Sequence, residues 1–345
     1  MTREDEQEIL DRALAAFTRQ TGCVIACEAV REGEPLRTDA AVELHGMQGP
    51  VQFTIEIKAR VTVAGALQHL LRQPGLTDKV LLVTRQVTDD MAERLKNDGI
   101  QFIDTAGNAS INRPPYFIFI KGNKDREEVK PQAVGRIFKQ TGLRALYALL
   151  CNPGLETEPY RVIAAKTGVA LGMVDWIMRE LRELGFLQER GKGRERNARL
   201  INREKLLERW VTGYAEQLRP KLVIGRFRGP DNWWQQANLN PEQALWGGEV
   251  AAAKLTGYLK PQEITIYIDK GDPAAVLLPN RLRKDPTGDV ELLQRFWLPE
   301  TVPANGDMVH SLLVYADLVA TGNQRNLETA RMIYDQHIVQ LIRET

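Results

Sequence analysis

The stretch LGMVDWIMRELREL at residues 171–184 has the clearest periodicity in the chain. Its apolar side chains recur every three or four residues, which predicts an amphipathic helix. Two shorter apolar segments precede it, LRALYALL at residues 143–150 and YRVIAAKT at residues 160–167, and both are also expected to be helices. Gly168 and Val169 are expected to form the turn before the third helix. Its buried face should consist of Val174, Ile177, Met178, Leu181 and Leu184.

A basic, glycine-rich segment follows the third helix. It begins with Gly185, Phe186 and Leu187, continues as ERGKGRER at residues 189–196, and returns to Leu200. Such a segment between two short apolar runs predicts a β-hairpin. Helices followed by a basic hairpin are typical of a winged helix-turn-helix, in which one helix enters the major groove of DNA. Residues 132–218 are therefore predicted to form a DNA-binding domain.

The distribution of charge favours the same interpretation. Residues 130–228 contain 20 Lys and Arg but 10 Asp and Glu, although the whole chain has a net charge of only +1. A domain so basic beside acidic neighbours suggests a polyanionic partner. The alternative is a winged helix that contacts only protein. The predicted contacts to DNA are Arg161, Lys166, Arg179, Arg182, Arg190, Lys192, Arg194, Arg196 and Arg199.

The first 122 residues are predicted to form a mixed sheet covered by helices. A helix is expected at residues 4–19, because its apolar positions lie on one face. Three strands should follow, and after them alternating helices and strands. The expected strands lie at 23–30, 40–44, 51–57, 80–83, 100–103, 109–111 and 116–120, and the expected helices at 63–71 and 88–97.

Three residues of this first region could form a metal site. Glu56 and Lys58 should point to the same face of a strand, and Asp39 begins the preceding strand. Carboxylate oxygens suit Mg²⁺, and a lysine beside them could stabilise charge on a phosphate. The motif and the order of elements resemble the PD-(D/E)xK nuclease fold, in which Asp39, Glu56 and Lys58 would be catalytic and Asp39 and Glu56 would bind the metal. The alternative is a surface ion pair at the end of a strand.

Residues 219–345 are predicted to form a third, α+β domain, so the whole chain is expected to be an α+β multidomain protein. Tyr315, Asp317, Arg325 and Glu328 could converge on one site, or Asn323 could cap the last helix while Arg325 pairs with Glu328. The Gly247-Gly248-Glu249 turn could face a ligand, but close packing explains its glycines more simply. The expected helices are 244–259, 309–320 and 327–342, and the expected strands are 264–268, 275–278 and 290–293.

Composition excludes several classes of protein. The three cysteines, Cys23, Cys27 and Cys151, have no histidines at ligand-like spacing, which argues against both structural zinc and a disulfide framework. No apolar stretch is long enough to span a membrane, and the amino terminus does not have the pattern of a signal peptide. We therefore expect a cytoplasmic protein with no membrane partner and no cofactor for DNA binding.

Segments along nearly the whole chain resemble the AbiEi family of antitoxins and transcriptional regulators from type IV toxin–antitoxin systems. They are VLLVTR (80–85), DDMAERL (89–95), GIQFIDTAGNA (99–109), YRVIAAKTGVALGMV (160–174), GGE (247–249) and YADLVATGNQRNLETA (315–330).

The resemblance implies a double-stranded DNA-binding repressor of its own operon that opposes a nucleotidyltransferase-like toxin without binding it tightly. A homodimer or repeated half-sites are expected on DNA, because one winged helix reads only a few base pairs. The alternatives are a Mg²⁺-dependent nuclease guided by the winged helix and a scaffold without chemistry.

Overall fold

The computed structural model describes residues 3–27, 41–46, 49–58, 79–124, 136–190, 197–269 and 273–343. The chain divides into two compact units, residues 1–131 and residues 132–345. Both contain helices and strands, which confirms the α+β class. Among the described residues, no helix is both long and apolar enough to cross a membrane.

The first unit has a seven-stranded sheet. Its described elements are α1 (Arg3–Thr21), β1 (Val24–Cys27), β2 (Ala41–His45), β3 (Val51–Lys58), β4 (Val80–Thr84), α2 (Asp89–Asn97), β5 (Gln101–Asp104), β6 (Ala109–Arg113) and β7 (Tyr116–Ile120). The strands lie in the sheet in chain order. Strands β3, β4 and β5 are parallel, and the pairs on either side of them are antiparallel. The helix expected at 63–71 lies outside the described residues.

Helix α1 packs on one face of this sheet. Ile9, Ala13 and Phe17 recur at helical spacing and are buried, as the sequence predicts. They join one apolar cluster with Phe53 and Ile55, which alternate along β3 and so point to the same face. Burial of these side chains supplies most of the free energy that holds helix and sheet together.

Asp104 organises the turn after β5. One carboxylate oxygen accepts hydrogen bonds from the backbone N–H groups of Ala106 and Asn108, at 3.0 and 2.8 Å. The other accepts from the N–H of Val87 and the side-chain amide of Asn108, both at 2.8 Å. Gly107 has a φ of +90°, which suits glycine. This turn is therefore a structural feature of the first unit.

The second unit begins with three short helices and a hairpin. They are α3 (Gln140–Cys151), α4 (Tyr160–Thr167), α5 (Leu171–Glu183), β8 (Leu187–Arg190) and β9 (Asn197–Leu200). Helix α4 ends at Gly168, whose φ of +68° allows the chain to turn at once into α5. Helix α5 buries the expected side chains except Leu184, which lies just beyond its last turn and is 36% exposed.

The rest of the second unit is a five-stranded sheet with helices. Its elements are α6 (Arg203–Gly213), β10 (Val223–Arg228), β11 (Ala244–Gly247), α7 (Gly248–Thr256), β12 (Ile264–Ile268), α8 (Ala274–Leu277), β13 (Arg283–Lys284), β14 (Val290–Gln294), α9 (Ser311–Thr321), α10 (Gln324–Ile333) and α11 (Val339–Arg343). The strand order is β11-β12-β14-β10-β13. Helix α6 continues into a π-helical turn at Tyr214–Leu218.

Three predictions for this region are wrong. Residues 244–247 form strand β11 because they pair with β12, and α7 begins only at Gly248, where φ is +49°. Residues 274–277 form a helical turn after Pro273 instead of a strand. The last predicted helix is interrupted by a π-helical turn at Tyr334–Ile338. Apolar runs this short fit helix and strand equally well, so pairing partners decide between the two.

Asparagines precede both α6 and α10, but they have different roles. Asn323 caps α10, since its side chain accepts a hydrogen bond from the N–H of Arg325 at 3.0 Å. Asn202 does not cap α6, because its backbone is left-handed and its amide donates to the carbonyl of Gly185. Asn202 therefore fastens the start of the hairpin to the start of α6.

Candidate functional site

The basic side chains of α4, α5 and β9 are exposed. Arg161 and Lys166 lie on α4, Arg179 and Arg182 on α5, and Arg199 on β9. Helix α5 turns its apolar face inward, so its arginines point to solvent by helical periodicity. Lys192, Arg194 and Arg196 lie outside the described residues, as does the side chain of Arg190. The predicted role of all nine residues in contacting DNA stays a prediction.

Both arginines of α5 are paired with carboxylates. Arg179 donates a hydrogen bond to Asp175, one helical turn earlier. Arg182 donates to Glu189 of β8, at 2.6 Å between Nη2 and Oε2. Exposed pairs of this kind contribute little stability, about 0.2–1 kcal/mol, so a phosphate or a base edge could displace them.

A buried ion pair fixes the hairpin to the helices. Glu156 accepts a hydrogen bond from Arg203 at 2.9 Å and from the backbone N–H of Leu200 at 3.2 Å, both at Oε1. Its other oxygen accepts from the N–H of Gly154 at 2.9 Å. The side chains of Glu156 and Arg203 are only 2% and 6% exposed. Strand β9 is therefore held at a defined position beside the turn before α4.

In the first unit, the structure brings Glu56 and Lys58 together. The lysine Nζ lies 2.8 Å from the Glu56 carboxylate, and Glu56 is buried. Thr84 is aligned with Lys58 on the neighbouring parallel strand, and its hydroxyl is buried without a hydrogen-bond partner. Asp39 lies outside the described residues. Among the described residues, no three His, Cys, Asp or Glu side chains form a metal-binding group.

The second unit contains a buried carboxylate, Asp317. Asp317 Oδ1 accepts hydrogen bonds from the hydroxyls of Tyr214 at 2.6 Å and Tyr267 at 2.8 Å. Its other oxygen accepts from the N–H of Gly248 at 3.1 Å. Arg219 lies 3.3 Å from Oδ1 and also pairs with Glu291 at 2.7 Å. We call these six residues the Asp317 network.

Burial sets the electrostatics of the Asp317 network. Loss of hydration raises the pKa of Asp317, although Arg219 and both tyrosine hydroxyls favour its charged form. Burial also raises the pKa values of Tyr214 and Tyr267, so both phenols stay protonated and can donate. No motif marks the two tyrosines in the sequence, because they come from separate elements.

A second buried carboxylate lies next to this network. Glu249 accepts hydrogen bonds from Arg325 at 2.8 Å and from the side chain of Asn326 at 2.8 Å. The backbone N–H of Gln262 donates to it at 2.7 Å. We call these four residues the Glu249 cluster. Arg325 thus pairs with Glu249 and not with Glu328, the residue expected from helical spacing.

The four residues expected to converge therefore belong to different contacts. Tyr315 packs against the ring of Tyr334, with centroids 5.7 Å apart. Asp317 lies in its network and Arg325 in the Glu249 cluster, while Glu328 accepts a hydrogen bond from Tyr258 at 3.4 Å. Close packing explains Gly247, because a Cβ there would lie 2.5 Å from the ring of Tyr267. Gly248 bonds Asp317 and is followed directly by Glu249, so one turn connects the two buried carboxylates.

Comparison with known families identifies the part of the chain that holds both centres. Residues 199–339 match the family described as "Transcriptional regulator, AbiEi antitoxin, Type IV TA system". The resemblance to AbiEi proteins predicted from the sequence is thereby confirmed over this range. No curated protein and no solved structure is significantly similar to the chain.

The AbiEi segment, residues 199–339, covers most of the second unit. It begins in β9 and includes α6, the five-stranded sheet, α9 and α10. Every member of the Asp317 network and of the Glu249 cluster lies within it. Helices α3, α4 and α5 precede it, as does the whole first unit. The match therefore includes both buried carboxylates, and of the nine predicted DNA contacts it includes only Arg199.

Proposed function

We propose that this chain is a DNA-binding transcriptional regulator with an antitoxin role in a type IV toxin–antitoxin system. The AbiEi segment supports this proposal, since the matching family is described as a transcriptional regulator and as an antitoxin of type IV systems. The proposal keeps the three predicted domains, 1–122, 132–218 and 219–345, of which the second binds DNA. We further propose that the regulator represses its own operon and binds double-stranded DNA as a homodimer.

The exposed basic side chains of α4, α5 and β9 carry the DNA-binding proposal. Helices α4 and α5 with the β8–β9 hairpin are proposed to form a winged helix-turn-helix, with α5 in the major groove. Arg161 and Lys166 would contact phosphates from α4, and Arg179 and Arg182 would contact phosphates or bases. Arg199 and the basic hairpin tip at Arg190, Lys192, Arg194 and Arg196 would contact the backbone beside them.

Band-shift measurements test this proposal. The purified chain is titrated against a duplex taken from upstream of its own gene and against a random duplex of equal length. A variant with Arg190, Lys192, Arg194 and Arg196 replaced by Ala is run beside it. We expect the native chain to bind the upstream duplex more tightly, and the variant to bind less tightly with a shallower salt dependence. Absence of a shift at low salt would refute the proposal.

The antitoxin role requires a separate test. If a nucleotidyltransferase-like gene lies next to this one, the two genes are expressed together and separately in the same host. We expect growth to stop with the neighbour alone and to recover when this chain is also produced. Recovery without co-purification of the two proteins would match the proposed mode, in which the antitoxin opposes the toxin without a tight complex.

A second candidate function, a Mg²⁺-dependent nuclease, is favoured by one observation in the first unit. Glu56 and Lys58 contact one another on one face of β3, at the carboxyl ends of parallel strands. A buried carboxylate beside a lysine fits the donor chemistry of a magnesium site, in which the metal would polarise a phosphate. Plasmid DNA is incubated with Mg²⁺ or Mn²⁺ and with the native chain, Glu56→Ala or Lys58→Ala. Cleavage by the native chain but by neither variant would support this function. Absence of cleavage by the native chain would exclude it.

A further inference from the structure

The outward face of α5 contains an acidic residue among its basic ones. Leu171, Gly172, Asp175, Arg179 and Arg182 are all exposed and lie on that face. A carboxylate at this position would repel DNA phosphates, so it weakens binding that depends on charge alone. Asp175 therefore does not contribute to sequence-independent affinity for DNA, and its position on this face needs another explanation.

We propose that Asp175 determines the sequence preference of the recognition helix, and this inference rests on the proposed DNA-binding function. In the major groove, an Asp accepts a hydrogen bond from the amino group of cytosine, and an Arg donates two to guanine. Asp175 and Arg179 are one helical turn apart, so their Cβ atoms are about 5–6 Å apart. That separation spans one to two base steps of about 3.4 Å. Together the two side chains can read a cytosine and a nearby guanine.

The contact between Asp175 and Arg179 supports a positioning role as well. The hydrogen bond from the guanidinium to the carboxylate, although weak, favours one position of the long arginine side chain before any DNA is bound. A restrained arginine loses less conformational freedom when it contacts guanine, and its planar fork stays aligned. The exposed fractions of the two side chains are 57% for Arg179 and 53% for Asp175, so both can reach a base edge.

The second pair on this surface is less suited to reading bases. Glu189 belongs to β8 and its side chain is only 20% exposed, although it also contacts an arginine of α5. Asp175 is the more accessible of the two carboxylates and lies nearer the amino end of α5, where recognition helices contact bases. Asp175 is therefore the acidic residue that the geometry assigns to specificity.

Selection from a randomised DNA pool tests the proposal. The native chain, Asp175→Ala, Asp175→Asn and Glu183→Ala are each used to enrich a duplex library, and the bound sequences are compared. Glu183 is exposed on the same helix, so its replacement by Ala removes the same charge as Asp175→Ala. Affinity for one fixed random duplex is measured in parallel for all four proteins.

We expect the native chain to select a cytosine that Asp175→Ala no longer selects, with at least a tenfold loss of discrimination at that base pair. Asp175→Asn should prefer adenine there, because Asn pairs with adenine in the major groove. Glu183→Ala should keep the native motif, and both alanine variants should bind the random duplex several-fold more tightly. If the native chain selects a motif that Asp175→Ala and Asp175→Asn leave unchanged, the inference is wrong. If the native chain binds no duplex, the proposed function itself fails.

Discussion

The hydroxyl of Tyr214 lies 2.6 Å from the Asp317 carboxylate, although the two residues are 103 positions apart in the chain. Tyr214 follows α6, which packs against α3, and Asp317 lies in α9. Trp210 of α6 stacks between Tyr147 of α3 and Tyr214, with ring centroids 5.3 Å apart on each side. This contact connects α3 to the centre of the AbiEi segment.

Removal of hydroxyls from the Asp317 network should destabilise the second unit. We expect Tyr214→Phe and Tyr267→Phe each to lower the free energy of unfolding by about 2 kcal/mol, because each removes a buried hydrogen bond to a carboxylate. Asp317→Ala should cost more, about 4 kcal/mol, because it leaves Arg219 buried with less compensation. The measurement is urea unfolding followed by tryptophan fluorescence, since all six tryptophans lie between residues 132 and 345.

Tyr258→Phe is the matched control for these substitutions. Its ring is 55% exposed and its hydroxyl bonds an exposed carboxylate at 3.4 Å. We therefore expect a change within about 0.5 kcal/mol. Equal effects of Tyr258→Phe and Tyr214→Phe would show that burial of the Asp317 network contributes nothing specific to stability.

Replacing one partner of the ion pair between Glu156 and Arg203 should lower the free energy of unfolding more than replacing both partners. We expect Arg203→Met to lower the free energy of unfolding by about 3 kcal/mol, because it leaves the Glu156 carboxylate buried without a counter-charge. The double variant Glu156→Gln with Arg203→Met should recover part of that loss. Lys205→Met, an exposed position on the same helix, is the control. Both single variants and the double variant are measured by urea unfolding. If the two single losses of free energy add up to the loss in the double variant, Glu156 and Arg203 are not coupled.

The stability of the second unit should also depend on His310. Burial lowers the pKa of His310 from 6.5 to about 4, and the charge of His337 adds to this effect. The unfolded chain therefore binds a proton at higher pH than the folded chain does. The contribution of neutral His310 to the free energy of unfolding is therefore complete above pH 6.5. It decreases as the pH drops towards 4, by about 3 kcal/mol at most.

His310→Asn tests this pH dependence. The Nδ1 atom of His310 accepts a hydrogen bond from the N–H of Leu312 at 3.2 Å and so caps α9. Asn can supply an oxygen for the same cap but does not titrate in this range. We expect the variant to lose less stability than the native chain between pH 6.5 and 4. If the free energy of unfolding changes with pH equally in both proteins, His310 is not the source of the pH dependence.

The sequence predicts the elements of this protein better than its buried polar contacts. Amphipathic segments such as α1 and α5 are predictable because a single face is apolar over several turns. Strand β11 is not, since four residues of mixed propensity become a strand only when β12 pairs with them. Tyr214 and Tyr267 join Asp317 from three elements distant in sequence, and no local pattern encodes such a contact. Glu56 and Lys58 were predictable because strand alternation alone places them on one face.

The basic residues of α4 should contribute to DNA affinity through phosphate contacts. Among the described residues, Arg161 and Lys166 form no ion pair with a carboxylate, and both are exposed, so their charge is available to an anionic partner. We expect the double variant Arg161→Ala with Lys166→Ala to bind duplex DNA more weakly at low salt, with the slope of log affinity against log salt reduced by about 2. Loss should be similar for all sequences, because phosphate contacts do not read bases. The double variant Arg283→Ala with Lys284→Ala removes the same charge from exposed β13 of the AbiEi segment and should leave the slope unchanged. An equal change of slope in both variants would mean that net charge, and not the α4 surface, governs binding.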